Sequence, residues 1–357
     1  MGTVYQWIQN LSVWLVLSAV ILHLVPGKDY GKYVRFFSGM VLLLLFLEPM
    51  LKLTGTDGMI TKLYEGSEAK DVKAEKELLQ KKELFGELQQ GSPENPSITM
   101  ESVHHFFKNV SGKPLIRPAW YYDTAQQGEG IADVTTHLID LVQWQCFPDK
   151  TIHYLSDVKV TKATHWPTPI TLPEFCQSTQ MDSFPPYLHK YVKNNVLEVL
   201  ANGTLNFTIK GIHIGMKVIW NYTPPTNGGD TFTSIKKGSK ATLKIVQNKE
   251  NGFIKELYIQ KAQNTENATF KTQLEKTIKE LQDTYPFLSI KERNNGLYLI
   301  DIPQACRSGH EAHFSKVAKT FLHYLQYKDM PEWENENTIS KYYITTTAVE
   351  MAKSRDK

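Results

Sequence analysis

The sequence predicts an α+β protein: a largely antiparallel open sheet with flanking helices, preceded by a two-helix transmembrane hairpin. Three observations predict it. Two long apolar runs lie in the first fifty or so residues. After residue 150, strand-like stretches follow one another at hairpin spacing. Amphipathic helical patterns stand on both sides of them. The 357 residues suffice for about two domains. With 41% hydrophobic and 22% charged residues, most of the chain can fold around a core. That excludes a disordered, collagen-like or coiled-coil protein. A net charge of +3 creates no strong field for a polyanion, so no nucleic acid is expected as a partner. Three cysteines (Cys146, Cys176, Cys306) are too few for a disulfide scaffold and are not spaced as zinc ligands.

The first apolar run, Leu11 to Val25, contains one histidine and no formal charge. Extended back to Trp7 it approaches the roughly 20 residues a helix needs to cross a bilayer. Pro26-Gly27 ends it. The second run covers Phe36 to Leu47 and continues to Leu53. Two such runs joined by a short polar linker predict a membrane hairpin over residues 1–55. The linker carries Lys28, Lys32 and Arg35, whereas residues 1–10 carry no base. The positive-inside rule puts the linker in the cytoplasm and the soluble part outside. The bilayer is thus an expected partner, and the cell membrane the expected location.

Residues 56–93 predict a charged helical connector. Its Glu, Lys, Leu and Gln are good helix formers, and Gly91 to Ser97 breaks the helix with two prolines. The globular part is then expected over 94–357. Thr99 to Ser111 is expected as a helix, and Ile131 to Cys146 as a second, with Val134, Leu138 and Val142 near one face. Strands are expected at His153–Thr164, Val196–Leu200, Thr204–Ile209, Met216–Asn221, Thr231–Lys236, Ala241–Gln247, Lys255–Gln260 and Leu297–Ile302. Asn202-Gly203 has the composition of a hairpin turn needing positive φ. Helices return at Asn267–Thr284, Gly309–Leu325 and Thr338–Lys353.

The strongest motif runs from Gly128-Glu129-Gly130 through Asp133 and His137 to Asp140. On a helix, Asp133 and His137 are i,i+4 and project from one face. A carboxylate beside an imidazole can hold its tautomer and suits proton transfer, although a structural pair has the same spacing. The Gly-x-Gly lacks the preceding strand and third glycine of a dinucleotide fingerprint. His310-Glu311-Ala312-His313 is not a His-Glu-x-x-His zinc motif, so no metal is expected. His104-His105 has the pattern of a helix face. Trp120, Tyr121, Tyr122, Trp166 and Trp220 could stack on sugar rings or fill a core. Arg117 and Lys190 are candidates to anchor an anion.

Two family resemblances follow from these residues. Leu24-Val25-Pro26, Lys32-Tyr33-Val34-Arg35, Gly39, the leucine run and Pro49 resemble the N-terminus of the stage III sporulation protein AF family. Its members have two membrane spans and a small domain in a channel apparatus. The G-x-G-x-x-D-x-x-x-H-x-x-D motif resembles the signature opening the C-terminal domain of the Gfo/Idh/MocA NAD(P)-dependent sugar oxidoreductases. SVHHFFKNVSGKPLIRPAWYYD, LVQWQCFPD, VIWNY, SGHEAHFSKVAKTFLHYL and KYYITT agree with it. The resemblance covers about residues 80–357. It implies a substrate and oligomerisation domain, with Asp133 and His137 as a partial or vestigial proton-transfer pair. It further implies Gly128, Gly130, Asp140, His310, His313 and Trp120 at a sugar-like ligand. Homo-oligomer contacts are implied through the open sheet face.

The family's nucleotide-binding domain and its Glu-Lys-Pro lysine segment have no counterpart in this sequence. NAD(P) is therefore implied by the family only, and the chain as read binds no cofactor itself. Three alternatives result: a membrane-tethered oxidoreductase half that does not act alone, a non-enzymatic sporulation AF-type assembly protein, or a chimeric gene product.

Overall fold

The computed structural model describes residues 70–110, 112–226, 228–294, 296–303 and 310–355, besides Ser12, Val13, Leu15 and Val16. Residues 70–72 and 310–316 are described by backbone alone. The chain divides into two units, Met1–Glu68 with Ser308–His313, and Ala69–Arg307 with Phe314–Lys357. The fold below is that of the second. The membrane hairpin expected over residues 1–55 lies outside the described residues but for those four. Among the described residues no helix is long and apolar enough to cross a membrane.

Ten strands form one sheet. In chain order the strands are β1 (Ile98–His105), the short pair β2 (Asn109–Val110) and β3 (Lys113–Pro114), β4 (Val158–Thr171), β5 (Val192–Lys193), β6 (Val196–Ile209), β7 (Ile212–Asn221), β8 (Thr231–Lys237), β9 (Ala241–Gln247), β10 (Glu256–Lys261), β11 (Ser289–Asn294) and β12 (Leu297–Asp301). The sheet runs β11-β12-β10-β9-β8-β1-β7-β6-β4, with β5 on β6, while β2 and β3 pair apart. Its neighbours are antiparallel except β1 and β7, which run parallel. The helices are α1 (Lys70–Gln80), α2 (Thr124–Gln127), α3 (Gly130–Cys146), α4 (Leu172–Thr179), α5 (Asn267–Leu281), α6 (His310–Tyr327) and α7 (Glu332–Arg355). Helices α3 and α7 pack on β4, β6 and β7, and α1 packs on α3 and β10. This is the mixed architecture expected, a mostly antiparallel sheet with flanking helices.

Three local expectations are corrected. Where a helix is expected over Thr99 to Ser111, Ile98–His105 form strand β1. Ile98, Met100 and Ser102 alternate into the core while Thr99, Glu101 and Val103 are less buried, which is period two. Asn202-Gly203 makes no turn. The apolar positions Leu197, Val199, Ala201, Leu205, Phe207 and Ile209 stay in phase along β6, so the strand runs straight through. Gly203 is needed for close packing: a Cβ there would lie 2.3 Å from Ile131 Cγ1. The hairpin turns instead at Lys210-Gly211, both at positive φ, between Ile209 and Ile212.

The third correction is the connector. The helix Lys70–Gln80 and the turn after it are not solvated ahead of the domain: their apolar residues from Ala74 to Phe85 belong to its core. Ala74, Leu78 and Leu84 are wholly buried, Phe85 nearly so, against Leu243, Ile259 and Leu274. Inside this layer the Glu75 carboxylate meets the Lys236 ammonium at 2.8 Å, and both side chains are essentially inaccessible. Gln145 donates to the second Glu75 oxygen at 2.8 Å, and Lys236 donates to Ser234 at 2.8 Å. A charge pair this deep requires all its donors to be placed, which ties α1, α3 and β8 together.

Candidate functional site

The site lies at the C-terminal ends of β1 and β7, the parallel pair. Parallel strands bring two C-terminal ends to one edge, where open sheets place ligands. His104 on β1 stands directly opposite Trp220 on β7, and their rings stack with centroids 4.8 Å apart. The pairing of β6 with β7 stops at Gly203↔Val218. Beyond it the Asn202 side chain replaces the ladder: its Oδ1 accepts from Trp220 N at 2.8 Å, and its Nδ2 donates to Trp166 O and Thr168 Oγ1. Asn202 thus holds the Trp220 backbone where the two strands separate.

Into that opening comes the N-terminus of α3. Gly130 meets β6 so closely that a Cβ would lie 1.8 Å from Ala201 O. Its lack of a side chain is spent on helix–sheet contact, not on ligand approach. Gly128, at φ +95, ends α2 and lines a narrow cleft with Asp133, Tyr121, Phe106 and Trp220. The cleft volume is ≈ 10 Å³, the scale of one water. Burial raises the Asp133 carboxyl above its ordinary value, against the opposing influence of Gln127, His137, His104 and Arg117. Burial also pushes the Tyr121 hydroxyl up to about 12, so it stays a neutral donor beside that carboxyl. The cleft therefore offers one carboxyl with a raised pKa and one neutral phenol against an aromatic wall.

His137 is exposed one turn further along α3, and it makes no hydrogen bond or ion pair with Asp133. Asp140 pairs with Lys341 of α7 at 3.0 Å and lines a different groove. Trp120 is half exposed in the turn Ala119–Tyr122 that precedes the cleft. His310 and His313 are in α6, but their side chains lie outside the described residues. Arg117 is already engaged: its Nε donates to Phe106 O at 3.1 Å, and its guanidinium covers Tyr121 at 4.3 Å.

Two clusters escaped the sequence reading. Asp230 sits between His105 Nδ1 at 3.0 Å, His104 Nδ1 at 3.6 Å and the Lys108 ammonium. Burial alone would raise this carboxyl, but hydrogen bonds from the two histidines and the lysine outweigh it and hold it well below the usual range. The signal was His104-His105 followed by Lys108, three bases near one strand end awaiting a carboxylate. The second is Glu129, the N-cap residue of α3. It is 6% exposed, with His165 Nδ1 at 2.5 Å and Lys353 at 3.1 Å. This pair ties the start of α3 to β4 and to the end of α7.

The raised Asp133 carboxyl gives a pH prediction. An acid whose folded pKa is raised opposes folding once pH passes its unfolded value, so stability falls as pH rises. Asp133→Asn removes that term. The variant should melt higher than the parent at pH 7 and at the same temperature near pH 3, measured by scanning calorimetry. A lower Tm for the variant at pH 7 would contradict the burial account.

A mostly antiparallel sheet flanked by helices, with a motif helix that brings an aspartate to the ends of its parallel pair, is the architecture of an oxidoreductase C-terminal domain. The chain belongs to the family described as "Putative oxidoreductase C terminal domain", whose model matches residues 74–353. The stage III sporulation protein AF model matches residues 13–100. Its structural neighbours are Gfo/Idh/MocA-type oxidoreductases. One is the crystal structure of a putative oxidoreductase from Parabacteroides merdae, with 44% identity and a TM-score of 0.78. That match covers 80% of this chain and 65% of the other, so the chain spans under two thirds of that relative. Another is an oxidoreductase structure from Thermotoga maritima, 12% identical with a TM-score of 0.41, covering 79% of this chain and 57% of that one. A 3-ketoreductase from Actinomadura kijaniata, in complex with NADP, is 9% identical with a TM-score of 0.35, covering 75% and 53%. A search of curated proteins returned no match.

NADP is bound by that last relative. Among the described residues, the turn Gly128-Glu129-Gly130 does not fit such a group. In it the backbone of Ala201 in β6, and no open space, lies against Gly130: a Cβ there would already meet Ala201 O at 1.8 Å.

Proposed function

We propose that residues 74–353 form the ligand-binding half of an NAD(P)-dependent sugar oxidoreductase, working with a nucleotide-binding domain that this sequence does not contain. The observation that carries this is the Asp133 cleft: a carboxyl whose pKa burial raises above its ordinary value, lining a cleft with a neutral phenol and the Trp220 ring. His137, exposed on the same helix, is the group that would exchange a proton with a sugar hydroxyl, and Asp133 would support it by its charge, without a direct hydrogen bond. Gly128 and Trp120 border the ligand. The open sheet face, which carries Thr99, Glu101, Thr204, Asn206 and Lys217, serves self-association. The N-terminal runs anchor the protein in the cell membrane as a hairpin.

Titration of a hexose panel into the full chain tests the reading, followed by calorimetry. Saturable binding of at least one hexose, weakened at least tenfold in Asp133→Asn, is the expected result. Absence of any binding, or binding indifferent to Asp133, would overturn it. The match to the sporulation AF model favours a second reading, a membrane assembly protein whose soluble part only binds. An alkaline carbonate wash of membranes decides the anchoring that both readings share. The intact chain should stay in the pellet; its release would remove the membrane part of either.

A further inference from the structure

Asp133, His137, Asp140 and Trp144 are spaced i, i+4, i+7 and i+11 along α3, so they form one stripe of the helix. At 1.5 Å per residue the stripe is about 16 Å long. Its first end is the Asp133 cleft. Its other end opens into a groove of ≈ 440 Å³ between α3 and α7, the size range of small-ligand sites. Two indoles line that groove, Trp144, which is 37% exposed, and Trp333. Asp140, Asp149 and Glu334 supply carboxylates and Lys341 an ammonium.

The groove's polar groups divide into spent and available ones. Gln143 and Asn337 are buried and used in structure: Gln143 donates to Asn337 O, and Asn337 Oδ1 accepts from Ile152 N. Lys341 reaches both Asp140 oxygens at 3.0 Å, which neutralises that carboxylate. Glu334 has no hydrogen bond or ion pair from its side chain among the described residues. Burial and the neighbouring Asp140 charge raise its carboxyl, and Lys341 offsets this only in part. Lys76 covers one face of the Trp144 ring at 4.4 Å, which fixes the indole. A fixed aromatic plane beside carboxyls lacking donors suits a molecule with a C–H face and a ring of hydroxyl donors.

We propose that this groove is a distal saccharide subsite, and that the ligand of the chain is an oligosaccharide lying along the α3 stripe from Trp144 to the Asp133 cleft. The inference rests on the sugar-ligand reading above and names its substrate class. One sugar ring stacks on Trp144, its hydroxyls donate to Glu334 and Asp149, and the next rings pass His137.

A glycan array carrying mono- to hexasaccharides, probed with the labelled full chain, tests this. Saccharides of three or more units should bind at least tenfold more tightly than monosaccharides. Trp144→Leu and Glu334→Ala should each abolish the length preference, with melting curves confirming that each variant folds. Glu334 is on a helix surface and covers the case in which Trp144→Leu does not fold. A length preference that survives in a folded variant would overturn the subsite. So would equal binding at every length, and if that binding still depends on Asp133, the sugar reading stands while the extended site falls. No binding at any length would sink both.

Discussion

Glu75→Ala should destabilise the protein by about 3–5 kcal/mol, because it leaves the Lys236 ammonium buried without its counter-charge. Both side chains are inaccessible and 2.8 Å apart, so the ammonium is left facing a closed cavity and not bulk solvent. Gln145 and Ser234 remain, but Gln145 loses the oxygen it donates to, and Ser234 offers Lys236 one neutral acceptor. Urea unfolding followed by circular dichroism gives the value. The apolar pair Glu75→Leu with Lys236→Met should recover most of the loss, since desolvating the ions costs about as much as their attraction returns. A single variant within about 1 kcal/mol of the parent would show that Lys236 finds water. The same contacts set the domain's lower limit. A fragment beginning at residue 91 discards Ala74, Leu78, Leu84 and Phe85 with Glu75. It should fail to fold, whereas one beginning at residue 69 should retain a cooperative transition.

That limit marks where the sequence was hardest to interpret. Leu78 and Leu79 alternate with lysines and glutamates, and the pattern matches a solvated helix as well as one half-sunk in a core. Only a partner for Glu75 separates the two, and that partner is 161 residues away. The strands from β8 to β10 were plainer, because consecutive hairpins make their pairing local; Ala241–Gln247 is found as expected. Strand β1 was mistaken because its neighbour β7 lies over a hundred residues on, so nothing near it announces pairing. The Asn-Gly of β6 misled for another reason. Local turn preference is worth little against an apolar alternation that buries Leu197 through Ile209. At the site, Asp133 was legible from its motif. Asp230 and Asn202 were not, since each acts through residues distant in sequence.

Gly130→Ala separates the contact account from the propensity account by its sign. Gly130 is the first residue of α3. Helix propensity alone gives alanine an advantage of about 1 kcal/mol over glycine. The contact with β6 predicts the reverse. The added Cβ would lie 1.8 Å from Ala201 O and 2.5 Å from Ala201 C, and both are backbone atoms of a central strand. They cannot rotate away, so α3 must lift off the sheet. Overpacking of this kind costs about 1–3 kcal/mol, and a clash with backbone belongs at the upper end. The loss reaches the site because the neighbouring Glu129 holds His165 and Lys353. Lifting α3 opens that pair and carries Asp133 away from Tyr121 and Trp220. Gly130→Ala should therefore lower both unfolding free energy and hexose affinity. Gly128→Ala meets no atom closer than 3.7 Å but must hold φ at +95. With ψ at 156 this is a conformation essentially restricted to glycine, so the variant should cost about 1–3 kcal/mol of backbone strain and leave α3 seated. A stabilised Gly130→Ala variant would mean that α3 does not rest on β6 as the structure shows.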